Sequence, residues 1–104
     1  MKVEQTHHID ASERHADGMY DWYYEYHLYR FTDGERTLVA RSYADGTAEA
    51  HFLCFEVQRK PLSVTAKDID DPLLKQATLH LRSIGKVSIN YLSSEGYAPL
   101  HAEA

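Results

Sequence analysis

The sequence contains little cysteine, proline or glycine. Its 104 residues include one cysteine, three prolines and five glycines. The single thiol, Cys54, excludes a disulfide within the chain, and a free cysteine is typical of a reducing compartment. The first residues show no charged stretch followed by an apolar run, and no apolar run approaches the ~20 residues of a membrane-spanning helix. We therefore expect a cytoplasmic protein that does not associate with membranes.

The motifs of common phosphate, zinc and hydrolase chemistry are also missing. The sequence contains no GxGxxG, no P-loop, no HExxH, no paired CxxC and no GxSxG. Such patterns place glycines against phosphates, ligands around a metal or a nucleophile at a sharp turn. We therefore expect no cofactor, and we expect an interaction module rather than an enzyme.

Acidic residues outnumber basic ones, which gives the chain a formal net charge of −5. The imbalance lies in residues 1–52, which carry ten acids and five bases, whereas residues 53–104 carry six of each. An acidic domain repels phosphate backbones. The charge therefore disfavours nucleic acid as a partner and leaves another protein as the expected class.

Aromatic residues are abundant, and most lie in residues 19–57. This stretch holds all three Phe, the only Trp and six of the eight Tyr. Aromatic residues favour strands. Asp33-Gly34 and Asp45-Gly46 each separate two apolar runs, which is typical of a hairpin turn. The pattern predicts a three-stranded antiparallel meander with strands at residues 20–31, 36–43 and 50–57.

The third of these strands has an alternative. Ala50, Leu53, Cys54 and Val57 also stand at helical spacing, and Thr47 could cap such a helix. A short helical turn at residues 47–50 followed by a strand would satisfy both patterns.

A helix is predicted at residues 71–84. Asp71 is a suitable N-cap, Pro72 suits the first helical position, and Gly85 suits the residue after the helix end. The neighbouring acids are interpreted as favourable charges at the helix start rather than as a metal cluster. Alternating apolar residues then predict a final strand at residues 86–92.

The predicted fold class is therefore α+β, with an antiparallel meander, one main helix packed on one face and a final strand. These elements form a single domain over residues 19–100. Residues 1–18 are predicted to be a polar, loosely ordered arm, because they contain few large apolar residues and no convincing period. Residues 101–104 are predicted to be a frayed tail.

The meander yields one candidate ligand-binding surface. Two-residue loops place Tyr26 opposite Arg41 and Tyr24 opposite Tyr43, and an Arg over a Tyr ring is a favourable cation–π pair. The same residues could equally form core under the helix or the edge of a protein interface. The predicted ligand-binding residues are Trp22, Tyr24, Tyr26, Arg41 and Tyr43.

The same register suggests a candidate metal site. It places His27 and His51 on either side of Ala40, with a glutamate beside each histidine. Two imidazoles and a carboxylate form a ligand set that suits transition metals. The same side chains could equally form an acid/base group, which would suit a small catalytic domain. An alternative is that these side chains are the half-exposed polar end of one sheet face. The predicted metal ligands are Glu25, His27, Glu49 and His51.

A homodimer is expected from the two faces of the meander. One helix covers only one face, and both faces carry apolar residues. Soluble monomers rarely leave a contiguous apolar patch above a few hundred Å² open to water. A second copy packed on the uncovered face is an economical solution, because two-fold homodimers are the commonest oligomers. The face in question carries Tyr29, Phe31, Leu38, Leu53, Phe55 and Val57.

Overall fold

A mixed β-sheet and one helix make up the structure, a computed structural model that describes residues 1–45, 48–93 and 95–100. Within these residues the strands are β1 Lys2–Ala11, β2 Tyr23–Asp33, β3 Arg36–Tyr43, β4 Glu49–Val57, β5 Lys60–Leu62, β6 Ser88–Ser93 and β7 Gly96–Pro99. A 3₁₀ turn at Ala66–Asp70 precedes helix α1, Pro72–Ser83. The predicted α+β class is confirmed. No helix in the described ranges is long and apolar enough to cross a membrane.

The strands form one sheet in the order β1-β2-β3-β4-β6-β7, with β5 paired to β4. All neighbours are antiparallel except β4 and β6, which run parallel. A parallel neighbour requires a crossover connection, and the chain makes it through α1. The predicted meander is thus the centre of a larger mixed sheet.

Most predicted elements are confirmed, but the N-terminal residues differ from the prediction. β4 is a strand rather than a helix, and Asp71 caps α1 as expected. Residues 1–18 are not a loose arm, because Lys2–Ala11 pairs with β2 along ten residues. No pattern in the sequence indicates β1, because an edge strand with mostly exposed side chains lacks apolar alternation. The tail prediction for residues 101–104 lies outside the described residues.

The first hairpin turns one residue later than predicted. Asp33 pairs with Arg36, so the two loop residues are Gly34 and Glu35. Gly34 has a φ of +62°, which glycine adopts without steric cost. The β2–β3 register is therefore two residues away from the predicted one. A shift of two leaves each side chain on its predicted face, because strand side chains alternate with a period of two.

The β3–β4 pairing contains a β-bulge that the sequence did not reveal. Val39 pairs with Cys54, but its neighbour Ala40 pairs with Phe52. One extra residue in β4 moves the side chains on one side of the bulge to the opposite face from the one that unbroken alternation would give them. Phe52 and Phe55 consequently lie on the same face. The predicted pairing of Val39 with Phe52 is wrong for this reason. Gly46 of the predicted second turn and Thr47, the possible helix cap, lie outside the described residues.

Helix α1 covers one face of the sheet and completes the core. The sheet supplies buried side chains from four neighbouring strands, namely Tyr29, Phe31, Leu38, Ala40, Ala50, Phe52, Phe55, Ile89 and Tyr91. The helix supplies Leu73, Leu74, Ala77 and Leu81, each at most 1% exposed. Tyr24, Tyr26, Arg41 and Tyr43 alternate with these core positions and so lie on the opposite face. They are not core under the helix.

Asp71 ties the start of α1 to the sheet. Its Oδ1 accepts a hydrogen bond from the Leu73 backbone N–H at 2.9 Å, which caps the helix. Arg36 of β3 donates to both carboxylate oxygens, at 2.6 and 3.0 Å. This hydrogen-bonded guanidinium holds the pKa of Asp71 below its usual range. The helix is thus fixed over the core face at the end nearest the first hairpin.

Asp71→Ala is expected to lower the free energy of unfolding by about 1–2 kcal/mol, because it removes the cap and leaves Arg36 unpaired. Asp71→Asn keeps a capping oxygen. It should cost less than about 1 kcal/mol, since an ion pair with a partly exposed Arg contributes little. Urea denaturation of the two variants measures the difference, and equal losses would show that the cap is not the main contribution.

Candidate functional site

The candidate site lies on the face of the sheet turned away from α1, which we call the helix-free face. Five strands bring tyrosines, an arginine and histidines together there, although they are distant in sequence. These side chains are His8 of β1, Tyr24 and Tyr26 of β2, Arg41 and Tyr43 of β3, His51 of β4 and Tyr97 of β7. The face is therefore aromatic with a cation at its centre.

Arg41 is held by aromatic neighbours rather than by an acid. Its Nη2 donates a hydrogen bond to the Tyr97 hydroxyl at 2.8 Å. Its Cζ lies 4.9 Å from the centre of the Tyr43 ring, within cation–π range. Its Nε is buried and has no hydrogen-bond partner in the described part of the chain. No carboxylate of the described residues lies within 4 Å of this guanidinium.

The tyrosines form a continuous aromatic strip beside Arg41. The Tyr43 ring lies 6.0 Å from Tyr24 and 6.1 Å from Tyr26, the latter edge to face. Tyr26 in turn stacks on His8 of the edge strand at 5.4 Å. Tilted and edge-to-face pairs are favourable geometries for aromatic rings. The strip therefore has a defined shape in the free protein.

His51 completes the cluster on the other side of Arg41. It pairs across the strands with Arg41, and its ring lies 4.9 Å from the ring of Tyr97. Burial lowers the pKa of His51, the Arg41 cation lowers it further, and Glu49 opposes the shift. His51 is therefore neutral at physiological pH, and Arg41 is the cation of the cluster.

A shallow depression lies at one end of the aromatic strip. Tyr24, Tyr43 and Asp45 are among its lining residues, and its volume is about 170 Å³. Pockets for drug-sized molecules usually measure roughly 300–1,000 Å³. The depression therefore suits a single side chain better than a cofactor.

The predicted ligand-binding residues come together with one exception. Tyr24, Tyr26, Arg41 and Tyr43 share the helix-free face, but Arg41 stacks on Tyr43 rather than on Tyr26 because of the shifted register. Trp22 lies before β2 and is 49% exposed. Its backbone bonds to Ser12, and within the described residues its ring contacts none of the four.

Three members of the cluster escaped the sequence prediction in this role. His8 lies in β1, a strand that the sequence did not predict. Tyr97 lies in a Gly- and Pro-containing stretch without apolar period, so only the β6–β7 pairing brings it to Arg41. His51 was predicted as a metal ligand. Its place beside Arg41 depends on the bulge in β4, for which the sequence carries no signal that we can identify.

The structure does not bring the four predicted metal ligands together. Glu25 and His27 lie on the face that carries α1, whereas Glu49 and His51 lie on the helix-free face. The bulge separates them, because it reverses the alternation of this part of β4 relative to the prediction. The described ranges contain no group of three or more His, Cys, Asp or Glu residues that could hold a metal ion. Glu25 instead lies 2.6 Å from Nε2 of His7.

The lowered pKa of His51 predicts a pH dependence of stability. Near the usual histidine pKa of about 6.5 the unfolded chain binds more protons than the folded one. The contribution of His51 to the free energy of unfolding is therefore fully present above that pH and is lost as the pH falls through it. His51→Gln should lose less stability between pH 7.5 and 5.5 than the wild type does. The other six histidines are common to both proteins, so urea denaturation at the two pH values isolates the effect of His51. Identical losses of unfolding free energy in the two proteins would contradict the lowered pKa of His51.

Comparison with known proteins gives this chain no relative: no family model matches it, and neither the curated proteins nor the solved structures contain a significant match. A fold alone does not determine a function in any case. The functional argument therefore depends on the side chains of the helix-free face.

Proposed function

We propose that this protein is a non-enzymatic interaction module whose helix-free face binds a partner protein that presents a carboxylate to Arg41. The observation that carries the proposal is the Arg41 guanidinium, which has no carboxylate within 4 Å among the described residues. A carboxylate accepts well from a guanidinium, often through two hydrogen bonds. Binding of such a group would give the Arg41 cation a counter-ion.

The surroundings of Arg41 favour a protein over a small molecule. Tyr, Trp and Arg are the residue types enriched at protein-interface hot spots. The strip from Tyr24 to Tyr43 is open and ordered by ring contacts, and the depression beside it is small. A partner could lay a side chain in the depression and an acidic group on Arg41. An open surface of this kind gives less enclosure than a small ligand normally needs.

The chemistry of the face supports binding rather than catalysis. Burial raises the pKa of the Cys54 thiol, with a further contribution from Glu56, so the thiol is a poor nucleophile. The polar neighbour of the His51 ring is Asn90, at 3.5 Å between Nδ2 and Nδ1. An amide does not provide the nucleophile that an imidazole base would activate.

Self-association remains part of this proposal, but the character of the helix-free face favours another surface for it. Tyr29, Phe31 and Leu38, which were expected to need a covering copy, lie beneath α1. On the helix-free face an ion pair joins Arg30 to Glu56. Removing this partly exposed ion pair from water in a sheet-to-sheet contact would oppose association, because the desolvation penalty can exceed the Coulombic gain of the pair.

Arg41→Gln is expected to weaken partner binding by about thirtyfold or more, the loss typical of a hot-spot residue. Tagged wild-type and variant proteins are used to capture partners from the native host, and calorimetry then measures the affinity of the purified partner. Arg82→Gln is the matched control, because it removes the same charge from an exposed position on α1.

A partner that Arg82→Gln retains and Arg41→Gln loses supports the proposal. Capture that is insensitive to Arg41 would place the binding surface elsewhere. Capture of no stoichiometric partner by the wild type would contradict the role as a module for another protein.

A further inference from the structure

The edges of the sheet are protected unequally. Edge strand β7 has four residues and includes Pro99, and β5 has three and includes Pro61. Proline and short length are features by which proteins prevent edge-to-edge pairing. β1 has ten residues, no proline and an uninterrupted register with β2. No other strand of the described chain pairs with the outer edge of β1.

The backbone groups that β1 leaves open can be identified from its pairing. The Ser12 backbone N–H donates to the Trp22 carbonyl at 3.0 Å, which continues the β1–β2 register by one pair. In an antiparallel ladder, directly opposed residues alternate between hydrogen-bonded and non-hydrogen-bonded pairs. Even-numbered residues of β1 therefore bond to β2, and odd-numbered residues direct their N–H and C=O groups outward. The outward residues between the ends of the strand are Val3, Gln5, His7 and Ile9.

We infer that β1 pairs with β1 of a second copy, antiparallel, about a two-fold axis at Thr6. The inference rests on the self-association proposed above and assigns a surface to it. The axis has to pass through a residue rather than between two, because opposed residues must both direct their backbone groups toward the partner. With the axis at Thr6, the outward groups of the four odd-numbered residues form about eight backbone hydrogen bonds across the interface.

The side chains of β1 are complementary about Thr6. Lys2 lies opposite Asp10 of the second copy, and Glu4 lies opposite His8 of the second copy. The first pair joins opposite charges, the second joins a carboxylate to an imidazole that can donate a hydrogen bond, and each pair occurs twice by symmetry. Opposite charges directly across two strands stabilise the pairing. All four side chains are on the helix-free side, because even-numbered residues of β1 share a face with Tyr26.

The odd-numbered side chains are complementary as well. Val3 lies opposite Ile9 of the second copy, and Gln5 lies opposite His7 of the second copy. Ile9 is 56% exposed in the single chain, so the pairing would bury part of an apolar side chain that is now open to water. The side chains on both faces of β1 thus favour a two-fold axis at Thr6.

Neighbouring registers lack this complementarity. An axis at His7 places Glu4 opposite Asp10 of the second copy, which opposes two acids. An axis at Gln5 places Lys2 opposite His8 of the second copy and leaves Glu4 opposite a threonine. Like charges directly across two strands are destabilising. The charge sequence of β1 therefore selects the axis at Thr6.

Charge reversal tests the register. Lys2→Glu and Asp10→Lys each turn two attractive pairs into repulsive ones, and each is expected to weaken dimerisation about tenfold. The double variant restores opposite charges across the interface and should recover the wild-type affinity. Sedimentation equilibrium on the full chain without an N-terminal tag measures the dissociation constants, starting from the 12.0 kDa monomer mass. Thermal unfolding of each variant checks that it is folded.

Hydrogen exchange read by NMR tests the edge itself. In the dimer the amides of Val3, Gln5, His7 and Ile9 should be protected, and dilution to monomer should expose them while the even-numbered amides stay protected. A wild-type chain that is monomeric at hundreds of micromolar would overturn both the self-association and the edge pairing. A dimer whose affinity ignores the charge reversals, or whose odd-numbered amides exchange freely, would leave self-association standing and overturn the pairing through β1.

Discussion

The β-bulge between β3 and β4 is the constraint on which the rest of this structure depends. One extra residue in β4 brings Phe52 and Phe55 to the same side of the sheet, where helix α1 buries both. The same residue sends His51 to the opposite side, next to Arg41. Core and candidate site are therefore consequences of a single irregularity in backbone pairing. Bulges are often found where a strand redirects a side chain for function.

Helix α1 depends on local interactions within the chain and on a tertiary contact with the sheet. Asp71 and Pro72 start it by chemistry that acts within a few residues. Its position over the sheet comes from Arg36, which reaches the same carboxylate from β3. A single side chain thus couples the beginning of the helix to the hairpin that it covers. This coupling determines which face remains free of the helix.

The sequence predicted well those features that depend on neighbouring residues. The meander, the helix with its cap and the last strand follow from alternation, turn residues and capping, which act over short distances. The aromatic composition also led to four of the cluster residues, Tyr24, Tyr26, Arg41 and Tyr43. The register could not be predicted fully, because Asp33-Gly34 is compatible with two loop positions and nothing in β4 marks a bulge. Strand β1 and Tyr97 were missed since their places depend on pairing with distant strands.

The parallel pairing of β4 with β6 also has a consequence for the order in which the sheet folds. Its first partners, Glu49 and Ser88, are separated by the whole of β5, the 3₁₀ turn and α1. The hairpins from β2 to β4 close over short loops, whereas β6 meets its neighbour only after a long segment has lost conformational freedom. Tyr97 lies in β7, the strand that follows β6 in the chain and pairs with it. We therefore expect the hydrogen bond between Arg41 and Tyr97 to form late in folding.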